Sequence, residues 1–123
     1  MNIYGLIGRD IDYSFSRTYF AEKFKNEDIS AEYRNFDLPA IEDIEEVFVQ
    51  TSGLSGLNVT IPYKQAVIPF LDGLDENAKQ IAAVNTIKID GNKRIGYNTD
   101  YFGFSESLKP FLQPHHKKAL ILG

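Results

Sequence analysis

The sequence contains no cysteine, which excludes disulfide frameworks, thiolate nucleophiles and cysteine-based zinc sites. Its two histidines are the adjacent pair His115 and His116, so we do not expect a histidine-rich metal site. No apolar run approaches the roughly 20 residues that a membrane-spanning helix needs. The N-terminus also lacks the basic start and cleavage region of a signal peptide. These absences predict a cytoplasmic protein without a metal centre.

Basic residues are in the minority, with 13 Lys and Arg against 17 Asp and Glu, which gives a formal net charge of −4. The longest basic run is the pair Lys117 and Lys118. Nucleic acids and anionic membranes are therefore poor candidates as partners. The 123 residues, 43% of them hydrophobic, are sufficient for one folded domain with its own core.

Short apolar segments alternate with segments of helical periodicity along the chain. This pattern predicts strands at 3–8, 31–36, 56–61, 84–90 and 93–98, and helices at 17–26, 37–48, 76–82 and 101–111. A further helical turn is predicted to start at Pro62. Gly91 and Asn92 predict a hairpin that pairs Asp90 with Lys93. The fold class expected is α/β: an open, twisted, mostly parallel sheet with one antiparallel strand and helices on both faces.

The last ten residues predict a domain boundary. Residues 114–118 have the composition of a polar linker, and residues 119–123 form an apolar run that ends in glycine. Such a strand often leads into a dinucleotide-binding turn. We therefore expect one domain over 1–113, and a linker with the first strand of a dinucleotide-binding (Rossmann) domain over 114–123. The chain would then be the front part of a longer protein.

Polar side chains follow the predicted strands at the edge where open parallel sheets bind ligands. Ser14 and Ser16 come after the first strand, although Ser16 could instead cap the following helix and Ser14 stand in a turn. Asn58 and Thr60 share one face of the third strand, since side chains alternate along a strand. Lys64 follows this strand, and a solvent-facing surface lysine is the alternative interpretation.

The register of the predicted hairpin brings Asn85 and Asp100 to its open end. Pairing Asp90 with Lys93 places Asn85 opposite Asn98, and Asp100 follows two residues later, where it could also cap the last helix. If the second strand of the hairpin runs parallel to the first strand of the sheet, the candidate side chains converge on one cleft: Ser14, Thr60, Lys64, Asn85 and Asp100. A lysine–aspartate pair there can move a proton to or from an alcohol or ketone oxygen of a small polyhydroxylated or carboxylated substrate.

Four motifs, in this order, resemble the N-terminal substrate-binding domain of shikimate dehydrogenase. They are YGLIG at 4–8 with YSFS at 13–16, GLNVTIPYK at 56–64, AAVNT at 82–86 and GYNTDYFG at 96–103. The resemblance covers essentially the whole chain. It departs in the first loop, where Asp10, Tyr13 and Arg17 stand in place of the family's Pro, His and Pro.

The resemblance implies the reversible reduction of 3-dehydroshikimate to shikimate with NADPH, a step of aromatic amino acid biosynthesis. It implies that Ser14 and Ser16 hold the carboxylate of this small-molecule substrate and that Lys64 and Asp100 form the acid/base pair. The ring hydroxyls would be bound by four polar side chains: Asn58, Thr60, Asn85 and Asp100. NADP would be bound by the second domain, so this chain alone would be inactive.

Two other functions remain open at this point, and a third is set aside. The same cleft residues would serve a quinate/shikimate dehydrogenase that uses NAD or NADP. A non-catalytic sensor could bind shikimate-like ligands, although the presence of both Lys64 and Asp100 argues against it. A phosphoacceptor receiver domain has a similar length and layout, but it needs an aspartate at the end of the third strand, where this chain has Asn58 and Thr60.

Overall fold

The structure is a computed structural model that describes residues 1–123, and its centre is one six-stranded sheet. In chain order the strands are β1 Asn2–Gly8, β2 Ala31–Asp37, β3 Leu54–Val59, β4 Gly73–Leu74, β5 Thr86–Asp90 and β6 Lys93–Tyr97. Their order in the sheet is β2-β1-β3-β5-β6-β4. Only β5 runs antiparallel to its neighbours, which confirms the predicted sheet. The predicted hairpin register is also correct, because Asp90 pairs with Lys93.

Helices cover both faces of the sheet. They are α1 Phe15–Asn26, α2 Ile44–Gln50, α3 Glu76–Ile81 and α4 Thr99–Leu108. Because side chains alternate along a strand, consecutive residues of β1 enter two different cores. Leu6 belongs to a small cluster that includes Phe20 of α1. Ile7 is fully buried in the main core together with Ile44 of α2 and Ala78 of α3.

One helical turn follows Pro62, in which the Val67 N–H donates to the Tyr63 carbonyl at 3.0 Å, but it does not continue as an α-helix. β3 ends at Val59, turns occupy residues 61–67, and a short 3₁₀ helix follows at Ile68–Phe70. The Val84 N–H donates to the Lys64 carbonyl at 2.7 Å. The backbone of Lys64 is thereby attached to the segment that leads into β5.

The two helix caps considered from the sequence, Ser16 and Asp100, are not the caps in the structure. Ser14, not Ser16, caps α1, because Ser14 Oγ accepts from the Ser16 N–H at 3.2 Å. Asn98, not Asp100, caps α4, because Asn98 Oδ1 accepts from the Tyr101 N–H at 2.9 Å. The helices therefore begin two residues earlier than predicted. The side chains of Ser16 and Asp100 lie in the first turns of their helices and are not used as caps.

Residues 112–123 form neither helix nor strand. Leu120, Ile121 and Leu122 are exposed by 84%, 91% and 86%. The assignment of 114–123 to a linker and a second domain stays a prediction. No helix of the chain combines the length and apolar character needed to cross a bilayer.

Candidate active site

The sheet topology creates a crevice at one edge. Strands β1, β2, β3 and β6 end at this edge, and the antiparallel β5 begins there. From β1 the chain passes to β2 on one side and then to β3 on the other side of β1. Open α/β sheets bind ligands outside such a switch point. A cavity of about 460 Å³ lies there.

This cavity brings together all the side chains that the sequence analysis selected. Its lining includes Ser14, Ser16, Asn58, Thr60, Lys64, Asn85 and Asp100. Leu6, Ile11, Tyr13 and Phe15 add apolar surface to the same lining. A second cavity, of about 390 Å³ on the α1 face of the sheet, is lined mainly by apolar residues and has no carboxylate. The 460 Å³ cavity is therefore the candidate active site.

An ion pair links two elements across the mouth of the cavity. Lys64 Nζ lies 2.6 Å from Asp100 Oδ2, which is a charge-assisted hydrogen bond. The two side chains are 37% and 59% exposed, so solvent screens the pair and it contributes little to the stability of the fold. Its exposure to the cavity instead suits the exchange of a proton with a bound ligand.

Asn85 fixes the start of α4 relative to the sheet. Its Nδ2 donates to Thr99 Oγ1 at 2.7 Å, and its Oδ1 accepts from the Thr99 N–H at 2.9 Å. Its backbone carbonyl accepts from the Val59 N–H at 2.8 Å. These bonds join the end of β3, the entry to β5 and the first turn of α4, and so place Asp100 beside Lys64. One N–H of the Asn85 amide is left for a ligand.

The N-terminus of α1 forms the opposite side of the cavity. The Ser14 hydroxyl accepts the capping bond but can still donate its own hydrogen. The first turn of α1 contains no acidic residue, so the positive end of the helix dipole is not neutralised there. Arg17 pairs with Asp12 at 3.3 Å, and the Asp12 side chain is 94% exposed, so this loop carboxylate faces solvent. This end of the cavity suits a carboxylate.

Asp37, at the end of β2, anchors the loop that carries the two serines, and the sequence analysis missed it. Its Oδ1 accepts from the Asp10 N–H at 3.0 Å, and its Oδ2 accepts from the Ile11 N–H at 3.1 Å. Asn35 assists, because its Nδ2 donates to the Ile11 carbonyl at 3.2 Å. No local motif signals a contact between residues 26 and 27 positions apart, so only the fold reveals it.

We expect the Asp37→Ala substitution to loosen this loop. It removes two hydrogen bonds to a charged acceptor, which should lower the free energy of unfolding by about 1–3 kcal/mol. Hydrogen exchange of the Asp10 and Ile11 amides should become faster. Asp90→Ala is the matched control, since the Asp90 side chain is exposed at the hairpin. Unchanged exchange at Asp10 and Ile11 in Asp37→Ala would show that the loop does not depend on this carboxylate.

A sequence model described as "Shikimate dehydrogenase substrate binding domain" matches residues 6–87. The chain belongs to this family. The resemblance stated from the four motifs is thus confirmed.

Three relatives illustrate the similarity. Shikimate dehydrogenase (NADP(+)) of Aquifex aeolicus is 36% identical over 124 residues, which cover 98% of this chain and 46% of that protein. The structure of Thermus thermophilus shikimate 5-dehydrogenase in complex with NADP(H) and shikimate matches with a TM-score of 0.76 and 29% identity. Quinate dehydrogenase from Corynebacterium glutamicum in complex with NAD matches with a TM-score of 0.76 and 32% identity. The matches cover 90% and 89% of this chain, and 42% and 41% of those chains. The chain therefore spans less than half the length of these relatives.

The first loop of the chain contains a non-glycine residue in the left-handed backbone region. Asp10 has a φ of 55°. Proline is restricted to a φ near −65° and could not adopt this conformation. The loop therefore takes a turn that a proline at position 10 would not allow, and the Asp37 carboxylate accepts hydrogen bonds from the Asp10 and Ile11 N–H groups within it.

Proposed function

We propose that this chain is the substrate-binding and proton-transfer part of an NADP-dependent shikimate dehydrogenase, which reversibly reduces 3-dehydroshikimate to shikimate in the cytoplasm. The observation that carries the proposal is the Lys64–Asp100 pair, which lies in the same cavity as the N-terminus of α1. The name of the Aquifex aeolicus relative and the ligands of the Thermus thermophilus structure support it.

The two sides of the cavity would recognise different parts of the substrate. The carboxylate would lie at the N-terminus of α1 and accept hydrogen bonds from the hydroxyls of Ser14 and Ser16. The ring oxygens would then face the strand ends, within reach of the polar side chains there: Asn58, Thr60, Asn85 and Asp100. This orientation would direct the oxygen at the reacting carbon towards Lys64.

The proposed reaction needs one hydride and one proton. NADPH, when bound, supplies the hydride to the carbonyl carbon. The Lys64 ammonium group donates the proton to the carbonyl oxygen, so that the ketone becomes the alcohol of shikimate. The Asp100 carboxylate, 2.6 Å from Lys64 Nζ, orients the amine. In the reverse direction the same pair accepts the proton of the alcohol.

Residues 1–123 contain no turn that fits the pyrophosphate of a dinucleotide such as NADP. A dinucleotide site needs a glycine-rich turn between a strand and a helix. In the connection from β1 to α1, Gly8 is followed by Arg9 and Asp10 and not by further glycines. The N–H groups of Asp10 and Ile11 already donate to the Asp37 carboxylate. The proposal assigns NADP to a second domain, which residues 119–123 would enter.

Quinate is the second candidate substrate. The favouring observation is the match to Corynebacterium glutamicum quinate dehydrogenase, which is 32% identical and aligns over 89% of this chain. A quinate/shikimate dehydrogenase that uses NAD or NADP would need the same carboxylate site and the same proton-transfer pair.

We expect the 123-residue chain to bind shikimate and not to oxidise it when NADP⁺ is added. Titration followed by NMR should shift the amide signals of Ser14, Ser16, Asn85 and Asp100. Quinate tests the second candidate, and the methyl ester of shikimate tests the carboxylate site, because it lacks the charge. Ser16→Ala should weaken binding, whereas Ser107→Ala, on the exposed side of α4, should not. Absence of shikimate-induced shifts, or turnover by the chain alone, would contradict the proposal.

A further inference from the structure

Tyr33 connects the α1 face of the sheet to the candidate active site. It lies on β2, is only 6% exposed, and donates a hydrogen bond from its hydroxyl to Asn58 Oδ1 at 2.9 Å. Because the strand order is β2-β1-β3, the Tyr33 side chain must reach across β1 to make this bond. Asn58 lines both the 460 Å³ cavity and the 390 Å³ cavity, whereas Tyr33 lines only the latter. Tyr33 therefore contacts Asn58 from the side of the 390 Å³ cavity, away from the candidate active site.

The packing around Tyr33 holds its hydroxyl in place. The ring stacks on Phe20 of α1, with centroids 4.7 Å apart and planes inclined by 16°. Leu6 and Ile11 are buried in the same cluster. Burial raises the pKa of the Tyr33 phenol to about 12, and the neighbouring Ser16 hydroxyl opposes this increase in part. The phenol therefore keeps its proton throughout the neutral pH range and can donate it to Asn58 Oδ1.

The hydrogen bond that the Tyr33 hydroxyl donates to Asn58 Oδ1 selects which end of the Asn58 amide faces a ligand. An amide has an oxygen that only accepts and a nitrogen that only donates, and the two ends are nearly equal in shape. Since Asn58 Oδ1 accepts from Tyr33, Asn58 Nδ2 is the end left for the cavity. Without the phenol hydroxyl, little would prevent the amide from rotating and presenting its oxygen.

We propose that Tyr33 is a positioning residue that makes Asn58 a hydrogen-bond donor towards an oxygen of the substrate ring. The proposal rests on the proposed function, in which Asn58 binds the substrate. Tyr33 itself makes no direct substrate contact and acts through the Asn58 amide.

Tyr33→Phe tests this role, because it removes the hydroxyl but keeps the ring that stacks on Phe20. We expect the dissociation constant of shikimate for the 123-residue chain to rise about threefold to tenfold, the usual range for one hydrogen bond. The side-chain amide signals of Asn58 should also move in the ligand-free NMR spectrum. Tyr63→Phe is the matched control: Tyr63 is equally buried, but its hydroxyl donates to the Leu38 carbonyl. It should leave both readouts unchanged.

A double-mutant cycle decides whether Tyr33 acts through Asn58. In the Asn58→Ala background, Tyr33→Phe should have no further effect on shikimate binding. An equal loss in both backgrounds, or no loss in the wild-type background, would overturn the proposal.

The ligand-free spectrum separates this proposal from the proposed function. If the wild-type chain does not bind shikimate but the Asn58 amide responds to Tyr33→Phe, the substrate assignment is wrong and the positioning of Asn58 is supported. If the Asn58 amide does not respond to Tyr33→Phe, the positioning role is wrong, whether or not shikimate binds.

Discussion

Replacing Lys64 by alanine in the proposed dehydrogenase should lower kcat by about 10²–10⁴-fold, the usual contribution of a general acid or base. The amine is needed when the proton moves, so its loss should affect the chemical step more than substrate binding. We therefore expect the KM for shikimate to change little. Steady-state kinetics of shikimate oxidation and of 3-dehydroshikimate reduction provide the measurement.

Lys79→Ala is the control for this experiment. Lys79 is an exposed lysine on α3, away from the cavity lining, and its replacement removes the same charge from the chain. It should leave kcat and KM unchanged. A kcat for Lys64→Ala close to that of the wild type would contradict the assignment of Lys64 as the proton donor. Asp100 or a water molecule would then be the proton carrier.

The sequence predicted the part of the site whose geometry depends on short-range rules. The Gly91-Asn92 turn determines the hairpin register, and this register alone brings Asn85 and Asp100 to the same end of the sheet. Alternation along β3 similarly predicts that Asn58 and Thr60 share a face. Because parallel strands end at a common edge, these local predictions were sufficient to locate the cavity.

The features that the sequence did not predict depend on contacts between distant segments. The hydrogen bond from the Val84 N–H to the Lys64 carbonyl attaches the turn after Pro62 to the segment before β5. β4, at Gly73–Leu74, is a strand of only two residues, which is too short to show a periodic pattern. The contacts of Asp37 with the first loop and of Tyr33 with Asn58 join residues more than 24 positions apart.

Gly8 is the point where the first strand, the serine loop and the end of β3 come closest together. A Cβ at this position would lie 2.5 Å from Ile11 Cγ2 and 2.7 Å from Thr60 Cγ2, both far below ordinary contact distances. Both neighbours are β-branched, so their χ1 angles have little freedom to move away. Ile11 is also 2% exposed, and the surrounding core leaves it no space. An added methyl group must therefore displace the loop or the end of β3.

Gly8→Ala should consequently lower the free energy of unfolding by about 1–3 kcal/mol, the usual cost of overpacking. The same substitution at Gly103 should instead raise the free energy of unfolding. Gly103 lies within α4, and nothing lies within 4 Å of the Cβ it would gain. Gly103→Ala should therefore stabilise the chain by about 0.5–1 kcal/mol through helix propensity. Urea unfolding of the two variants measures both effects.

Since Gly8 also separates Ile11 from Thr60 in the cavity wall, Gly8→Ala alone should weaken shikimate binding. Equal stability of the two variants would show that the loop has room to move, and that the close packing beneath the candidate active site does not constrain it.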